Sequence, residues 1–193
     1  GNMMASSIVT LGEGDPPAAS LSFVAALAVH DMLLDLLIPP LRPSCRLKWP
    51  NDVLVDGAKI SGILLEQVAR SVVVGIGVNL AQAPDLPDRA TTHLARLNGR
   101  AAPSPAEALT LLSEHFARRV HAWRAHGLAA TLAQWEAQAH PRGTPLSVQG
   151  EGPGAGGGAL TGQFDGLEPD GSLRLRLDDG SVRAIHAADV ALI

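Results

Sequence analysis

Apolar positions fall into two rhythms along this chain. Residues 53–65 and 71–80 are strand-like: short β-branched runs bounded by turn residues. Between the halves of the first run lies Asp56-Gly57, a pair that tolerates the positive φ of a two-residue hairpin turn. Residues 7–11 and 46–49 add two more short strands. Residues 21–37 are apolar on nearly every side, which predicts a helix buried across a sheet, with Ser20 or Ser22 as its cap and Pro39-Pro40 as its stop. Residues 105–123 repeat apolar side chains at three and four. Ser104, Pro105 and Glu107 form a helix start, Gly127 marks the end, and residues 128–139 supply one more short helix. A turn at 12–17, a loop at 85–88 and a short helix at 91–97 complete the first part. Sequential strands without repeated βαβ spacing favour an antiparallel or mixed sheet.

From residue 142 the pattern changes. Helix formers fade, and residues 150–158 (GEGPGAGGG) read as a flexible linker. Residues 159–164, 172–177 and 181–186 are short strands joined through Asp170-Gly171 and Asp179-Gly180, the pattern of a small β-barrel. Two domains are expected, 1–140 and 141–193, in an α+β chain: a mixed or antiparallel sheet with packed helices, then a barrel.

Composition narrows the function classes. A net charge of -4 over 193 residues gives no nucleic-acid footprint. The longest apolar run, 23–38, is interrupted by His30, Asp31 and Asp35, so no membrane span is expected, and no basic segment precedes an apolar one as in a signal peptide. The single cysteine, Cys45, excludes an internal disulfide and points to a reducing, cytoplasmic setting. His115 and His121 lie six apart without metal-ligand spacing, and the histidines and arginines of the long helix read as its solvated face. No metal site is expected. The glycines of 150–158 are not followed by the lysine and hydroxyl of a phosphate-binding loop.

Chemistry concentrates in residues 47–66. Lys48-Trp49-Pro50-Asn51-Asp52 places a base, an indole, an amide and a carboxylate ahead of the hairpin. The two lysines of the chain, Lys48 and Lys59, both lie here, against thirteen arginines elsewhere. A compact, rotatable ammonium suits a ligand whose charge moves during a reaction. By residue type alone, capping a turn is the lesser alternative for Asn51 and Asp52, Trp49 reads as core, Lys48 could be an edge lysine, and Gly75 and Gly77 could serve packing.

This run, followed by Lys59-Ile60-Ser61-Gly62-Ile63-Leu64-Leu65-Glu66 and by Val74-Gly75-Ile76-Gly77-Val78-Asn79, resembles the signature of the biotin–protein ligase catalytic domain. The glycine-rich C-terminal part resembles that family's SH3-like domain. The resemblance implies the biotin/lipoate ligase fold, akin to class II aminoacyl-tRNA synthetases, with an SH3-like β-barrel over 141–193. It implies ATP-dependent activation of biotin through biotinyl-adenylate, with Mg2+, and transfer to a lysine of a biotin carrier domain. By the same resemblance Lys59 holds the biotin carboxylate and the α-phosphate, and Asp52 orients or deprotonates the acceptor lysine. Lys48 and Asn51 sit beside Asp52 as site-shaping or phosphate-side groups, Gly62 lets the ligand lie on the strand, Gly75 and Gly77 belong to the next ligand-side block, and Asn79 sits near the nucleotide. Relatives that transfer lipoate share the architecture, but this motif with this C-terminal part favours biotin.

The family's basic, glycine-rich ligand loop precedes the segment that residues 1–6 resemble, so its residues are expected upstream of Gly1, as would be any DNA-binding domain. An exposed sheet edge makes a homodimer an expectation. The alternative to a ligase is a non-catalytic biotin- or nucleotide-binding relative with regulatory use; a purely structural domain is the third reading.

Overall fold

The computed structural model describes residues 1–87, 89–149 and 159–193. The linker expected over 150–158 lies outside the described residues. The first sheet is antiparallel throughout. Strands β1 (Met3–Thr10), β2 (Cys45–Lys48), β3 (Asp52–Val55), β4 (Ala58–Val68) and β5 (Ser71–Val78) lie in the order β1-β5-β4-β3-β2. The hairpin expected at Asp56-Gly57 joins β3 to β4, with φ of 50° and 75° at the two residues.

One face of this sheet is covered by helix α1 (Leu21–Leu36), whose apolar residues are almost all buried. Residues Ala18–Leu36 are long and apolar enough to cross a membrane, with a mean hydropathy of 1.5, which departs from the expectation that no run would be. Two thirds of that stretch is buried within the fold, as expected for a core helix. The β5 alternation is clean: Val72, Val74, Ile76 and Val78 point into this core, and Ser71, Val73, Gly75 and Gly77 point to the open face. Met4, Ile8, Leu64 and Val68 are exposed on strands β1 and β4.

Helix α2 (Leu94–Asn98) is short, and α3 (Pro105–Gln138) packs on α1. The start of α3 is a capping box: Glu107 N–H donates to Ser104 Oγ at 3.3 Å, and Ser104 N–H donates to Glu107 Oε2 at 2.7 Å. Gly127 (φ 76°, ψ -176°) interrupts it where two helices are expected. Ser20 is not a side-chain cap for α1; its hydroxyl donates to the Pro17 carbonyl at 2.5 Å and accepts from Trp123 Nε1 at 2.8 Å. The long helix does not present all its basic groups to solvent. Arg119 forks onto Asp31 of α1 at 2.7 and 2.8 Å, and buried His115 meets Asp35 at 2.8 Å through Nε2. Alternation alone cannot distinguish a solvated face from one matched to acids on a neighbouring helix.

Strands β6 (Pro145–Gln149), β7 (Leu160–Leu167), β8 (Leu173–Arg176), β9 (Val182–Ile185) and β10 (Asp189–Leu192) form the second sheet, in the order β10-β6-β7-β8-β9. The expected SH3-like barrel is therefore corrected: the sheet is open, with no pairing between β9 and β10 among the described residues. Closure would need those two edges to meet. Instead β10 pairs with β6 and turns its other edge to the first sheet, where Lys48 donates to the Val190 carbonyl. Residue spacing predicts the strands, but it cannot say whether the last edge finds another strand or another domain.

Two histidines, buried His30 and half-buried His140, make stability pH-dependent. Burial pushes the pKa of His30 below the usual histidine value, and its Nδ1 has no hydrogen-bond partner among the described residues. Burial, followed by the positive charges of Arg46 and Lys48, does the same to His140. A lowered native pKa means that the unfolded chain takes up the proton first. Stability is thus full above the ordinary histidine value of about 6.5 and falls as pH drops from there toward the depressed native value, by about 1.4 kcal/mol per unit of displacement. The urea midpoint is expected to fall between pH 7.5 and 5.5, and His30→Leu to flatten much of that slope. A midpoint unchanged over this range would show that neither histidine resists protonation.

Candidate active site

The site is built where the motif meets a fault in the β3–β4 ladder. Val53 pairs with Ser61 and Leu54 with Lys59, so Ile60 is left without a partner. Such a bulge reverses the phase of the strand. Ile60 and Ile63 go into the core, while Lys59 and Gly62 come to the open side. The backbone groups that the bulge leaves over are taken up elsewhere. Asn79 N–H donates to the Ile60 carbonyl at 2.9 Å, Lys59 N–H donates to the Ala90 carbonyl at 2.9 Å, and Thr92 N–H donates to the Lys59 carbonyl at 2.9 Å. Residues 90–92 therefore hold the lysine backbone from its far side. Nothing in their side chains announces this, because the contact is made by the main chain.

Lys48 and Asp52 face each other across the ends of β2 and β3, over the turn made by Trp49-Pro50-Asn51, in which the Trp49–Pro50 peptide is cis. The Asp52 side chain is 4% exposed, so its charge requires partners. Lys48 Nζ lies 3.0 Å from Oδ2, and the Lys59 ammonium contacts Oδ1. Both lysines and the carboxylate are thus one cluster with an excess positive charge. Asn51 braces it, donating from Nδ2 to the Ile63 carbonyl at 2.7 Å while its own carbonyl accepts from Ile63 N–H at 3.1 Å.

Two hollows meet at Lys59. A cleft of about 350 Å³ between the hairpin and the second sheet is lined by Lys48, Asp52, Lys59, Arg89, Asp189 and Val190, among others. An open depression of about 410 Å³ lies over Gly62, Gly75 and Gly77, with Asn51 and Ser6 at its sides. Of the residues picked out from the sequence, Lys59 alone lines both hollows. An ammonium at such a junction can neutralise two anions approaching from opposite sides. Asn79 lines neither hollow; its Nδ2 donates to the Thr92 carbonyl at 3.1 Å, and its place is behind the bulge. Trp49 is core, with Nε1 donating to the Gly171 carbonyl at 3.0 Å. Cys45 is buried, which pushes its thiol up to about 12 and leaves it unreactive.

Gly62 has a role that strand logic does not reveal. A Cβ there would lie 3.2 Å from Lys59 Cε and 3.3 Å from Nζ, so the glycine makes room for the lysine head. Gly62→Ala is expected to leave the fold intact and to shift the ammonium by a few tenths of an ångström. The carboxylate activation that the resemblance implies should slow by about tenfold, given how steeply rate follows placement. Kinetics of the first half-reaction, compared with the unfolding midpoint, check this; a lower midpoint with unchanged kinetics would put the glycine in the fold rather than in the site.

With this geometry in place, comparison with known proteins is informative. The Biotin/lipoate A/B protein ligase family model matches residues 4–82, and the Biotin protein ligase C terminal domain matches residues 152–192. A biotin–[acetyl-CoA-carboxylase] ligase of Paracoccus denitrificans is 37% identical over 98% of this chain and 80% of its own length. The chain belongs to the biotin–protein ligase family. A biotin–[acetyl-CoA-carboxylase] ligase of Mycobacterium tuberculosis is 42% identical over 54% of this chain and 38% of its own length. In fold, the chain is similar to the Aquifex aeolicus biotin protein ligase solved in complex with biotin and ATP (TM-score 0.81, 22% identity, 100% of this chain and 79% of that one).

Proposed function

We propose that this chain activates biotin with ATP and ligates it, through biotinyl-adenylate, to a lysine of a biotin carrier domain. Family membership supports the reaction, and the position of Lys59 at the junction of two hollows carries the assignment of parts. Biotin lies in the depression over Gly62, Gly75 and Gly77, and its carboxylate reaches Lys59. ATP, entering as its magnesium complex, occupies the cleft beside Lys48 and Arg89. The carboxylate oxygen attacks the α-phosphorus and pyrophosphate leaves. Lys59 brings the two anions together and stabilises the charge on the phosphoryl oxygens as the bond forms.

Lys59 cannot remain on Asp52 while it serves the phosphate. Its turn toward the adenylate frees Oδ1, and that oxygen then receives the ammonium of the acceptor lysine. The acceptor ammonium gives a proton to that oxygen, the resulting amine attacks the biotinyl carbonyl, and AMP departs. Residues 1–140 form the catalytic unit in this reading, and 141–193 wall the nucleotide cleft. A homodimer would use the outer edge of β1, the exposed end of the first sheet.

The test is incubation of the purified chain with biotin, MgATP and a biotin carboxyl carrier domain, read by intact mass. One added biotin per carrier supports the ligase. Saturable binding of biotin without transfer would favour the binding-module alternative instead.

A further inference from the structure

We propose that Lys48 is a positioning residue through which the C-terminal sheet holds Asp52 in place, and not a ligand of the nucleotide. The functional part of this inference rests on the ligase reading above. Lys48 Nζ donates to the Val190 carbonyl at 2.5 Å and lies 3.0 Å from Asp52 Oδ2, with 11% of its side chain exposed. The ammonium is thus shared between the catalytic carboxylate and a main-chain oxygen of β10, 142 residues away in sequence.

The phase of the β10–β6 ladder explains why that oxygen is available. Ile193 N–H donates to the Pro145 carbonyl, and the two strands run antiparallel with Ala191 opposite Ser147 and Val190 opposite Val148. In an antiparallel pair, alternate residues turn their polar groups toward the partner strand and away from it. Counting back from Ile193, Ala191 and Asp189 face β6, and Val190 turns its carbonyl outward. Val190 is buried, so this outward acceptor needs a donor, and Lys48 supplies it.

The next residue repeats the arrangement: Trp49 donates to the Gly171 carbonyl, also in the C-terminal part. The motif therefore divides. Lys48 holds a backbone carbonyl of β10 and Trp49 one in the turn between β7 and β8, while Asn51 and Asp52 face the reaction. Arg89 with Asp189 adds an exposed pair at 3.1 Å, a weak contribution beside the buried ones. Lys59 contrasts with Lys48: 27% of its side chain is exposed, and it lines both hollows.

If Lys48 is a clasp, losing it loosens β10 and lets Asp52 drift, which should harm acyl transfer more than nucleotide binding. The experiment uses Lys48→Met in the full chain, with two readouts. Hydrogen exchange of residues 189–192 is expected to rise about tenfold, while β7 and β8 stay protected. Transfer from isolated biotinyl-adenylate to a biotin carboxyl carrier domain is expected to slow at least tenfold, with the KM for MgATP within twofold of the parent. A KM for MgATP raised tenfold with unchanged exchange at β10 would make Lys48 a phosphate ligand and overturn the proposal. Unchanged values in both readouts would make it a surface lysine and overturn the proposal equally. If Lys48→Met does not fold, Lys48→Arg keeps the charge: slower transfer at unchanged KM supports the clasp, and a raised KM overturns it. Should the parent chain transfer no biotin, the ligase reading fails, and the exchange readout still decides whether Lys48 ties β10 to Asp52.

Discussion

Lys59→Ala is expected to lower the rate of biotinyl-adenylate formation by about 10² to 10³, with little loss of stability. The reaction must bring a carboxylate against a triphosphate. Two unit negative charges about 4 Å apart repel by roughly 4 kcal/mol at an effective dielectric of 20. Lys59 lines both the depression over the glycines and the cleft beside β10, so a cation at this point meets both reactants. Removing one preorganised donor from such a transition state costs about 3 to 4 kcal/mol. The fold should tolerate the change, because the hydrogen bonds of residue 59 to Ala90 and Thr92 are made by its backbone and Asp52 retains Lys48. Lys59→Arg should not restore the rate: the planar guanidinium is bulkier, and Gly62 leaves space only for a compact head. Pyrophosphate exchange, with kcat and KM separated, measures the effect. A loss of less than threefold in kcat would remove Lys59 from the chemistry.

Asp52→Ala should be the more damaging change to the fold. It leaves two ammoniums facing each other where a carboxylate with 4% exposure stood between them. Breaking a buried pair from one side costs about 3 to 5 kcal/mol. About 3 kcal/mol is expected here, because Lys59 is partly exposed and can turn into the open depression. Asp52→Asn keeps the shape and one acceptor oxygen, so it should fold better and separate stability from chemistry. Transfer from preformed adenylate to the carrier is then expected to slow by about 10², the usual worth of a positioned acid–base group. Urea unfolding of the alanine variant and single-turnover transfer by the asparagine variant provide the two numbers. Wild-type transfer by Asp52→Asn would mean that the carboxylate serves only to balance the lysines.

Much of the site is legible because its members are close in sequence. Lys48, Asn51, Asp52, Lys59 and Gly62 lie within fifteen positions of one another, and a two-residue turn with antiparallel pairing brings such residues together almost by itself. Gly75 and Gly77 follow from the same logic, since alternation on β5 puts them on the side opposite Val74 and Ile76. Asn79 shows the limit. Family resemblance puts it near the nucleotide; that it also braces Ile60 and Thr92 from behind the bulge could not be read from the chain. Residues 90–92 leave no signal in the sequence, because their contribution is made by backbone atoms, which every residue carries.

The local order of polar and apolar residues was enough to determine the buried helix, the hairpin, the capped start of α3, its break at Gly127 and the cluster of charges around the turn. These depend on periodicity, on turn chemistry and on neighbours a few positions apart. Tertiary structure alone decided the rest. It left the second sheet open, because the outer edge of β10 is turned to Lys48 rather than to β9. It set His115 and Arg119 against the acids of α1, and it left the Lys59 side chain partly exposed while enclosing Lys48 between Asp52 and the Val190 carbonyl. Each of these outcomes depends on which group stands opposite another that is distant along the chain. Local propensity does not encode that choice; packing of the whole core does.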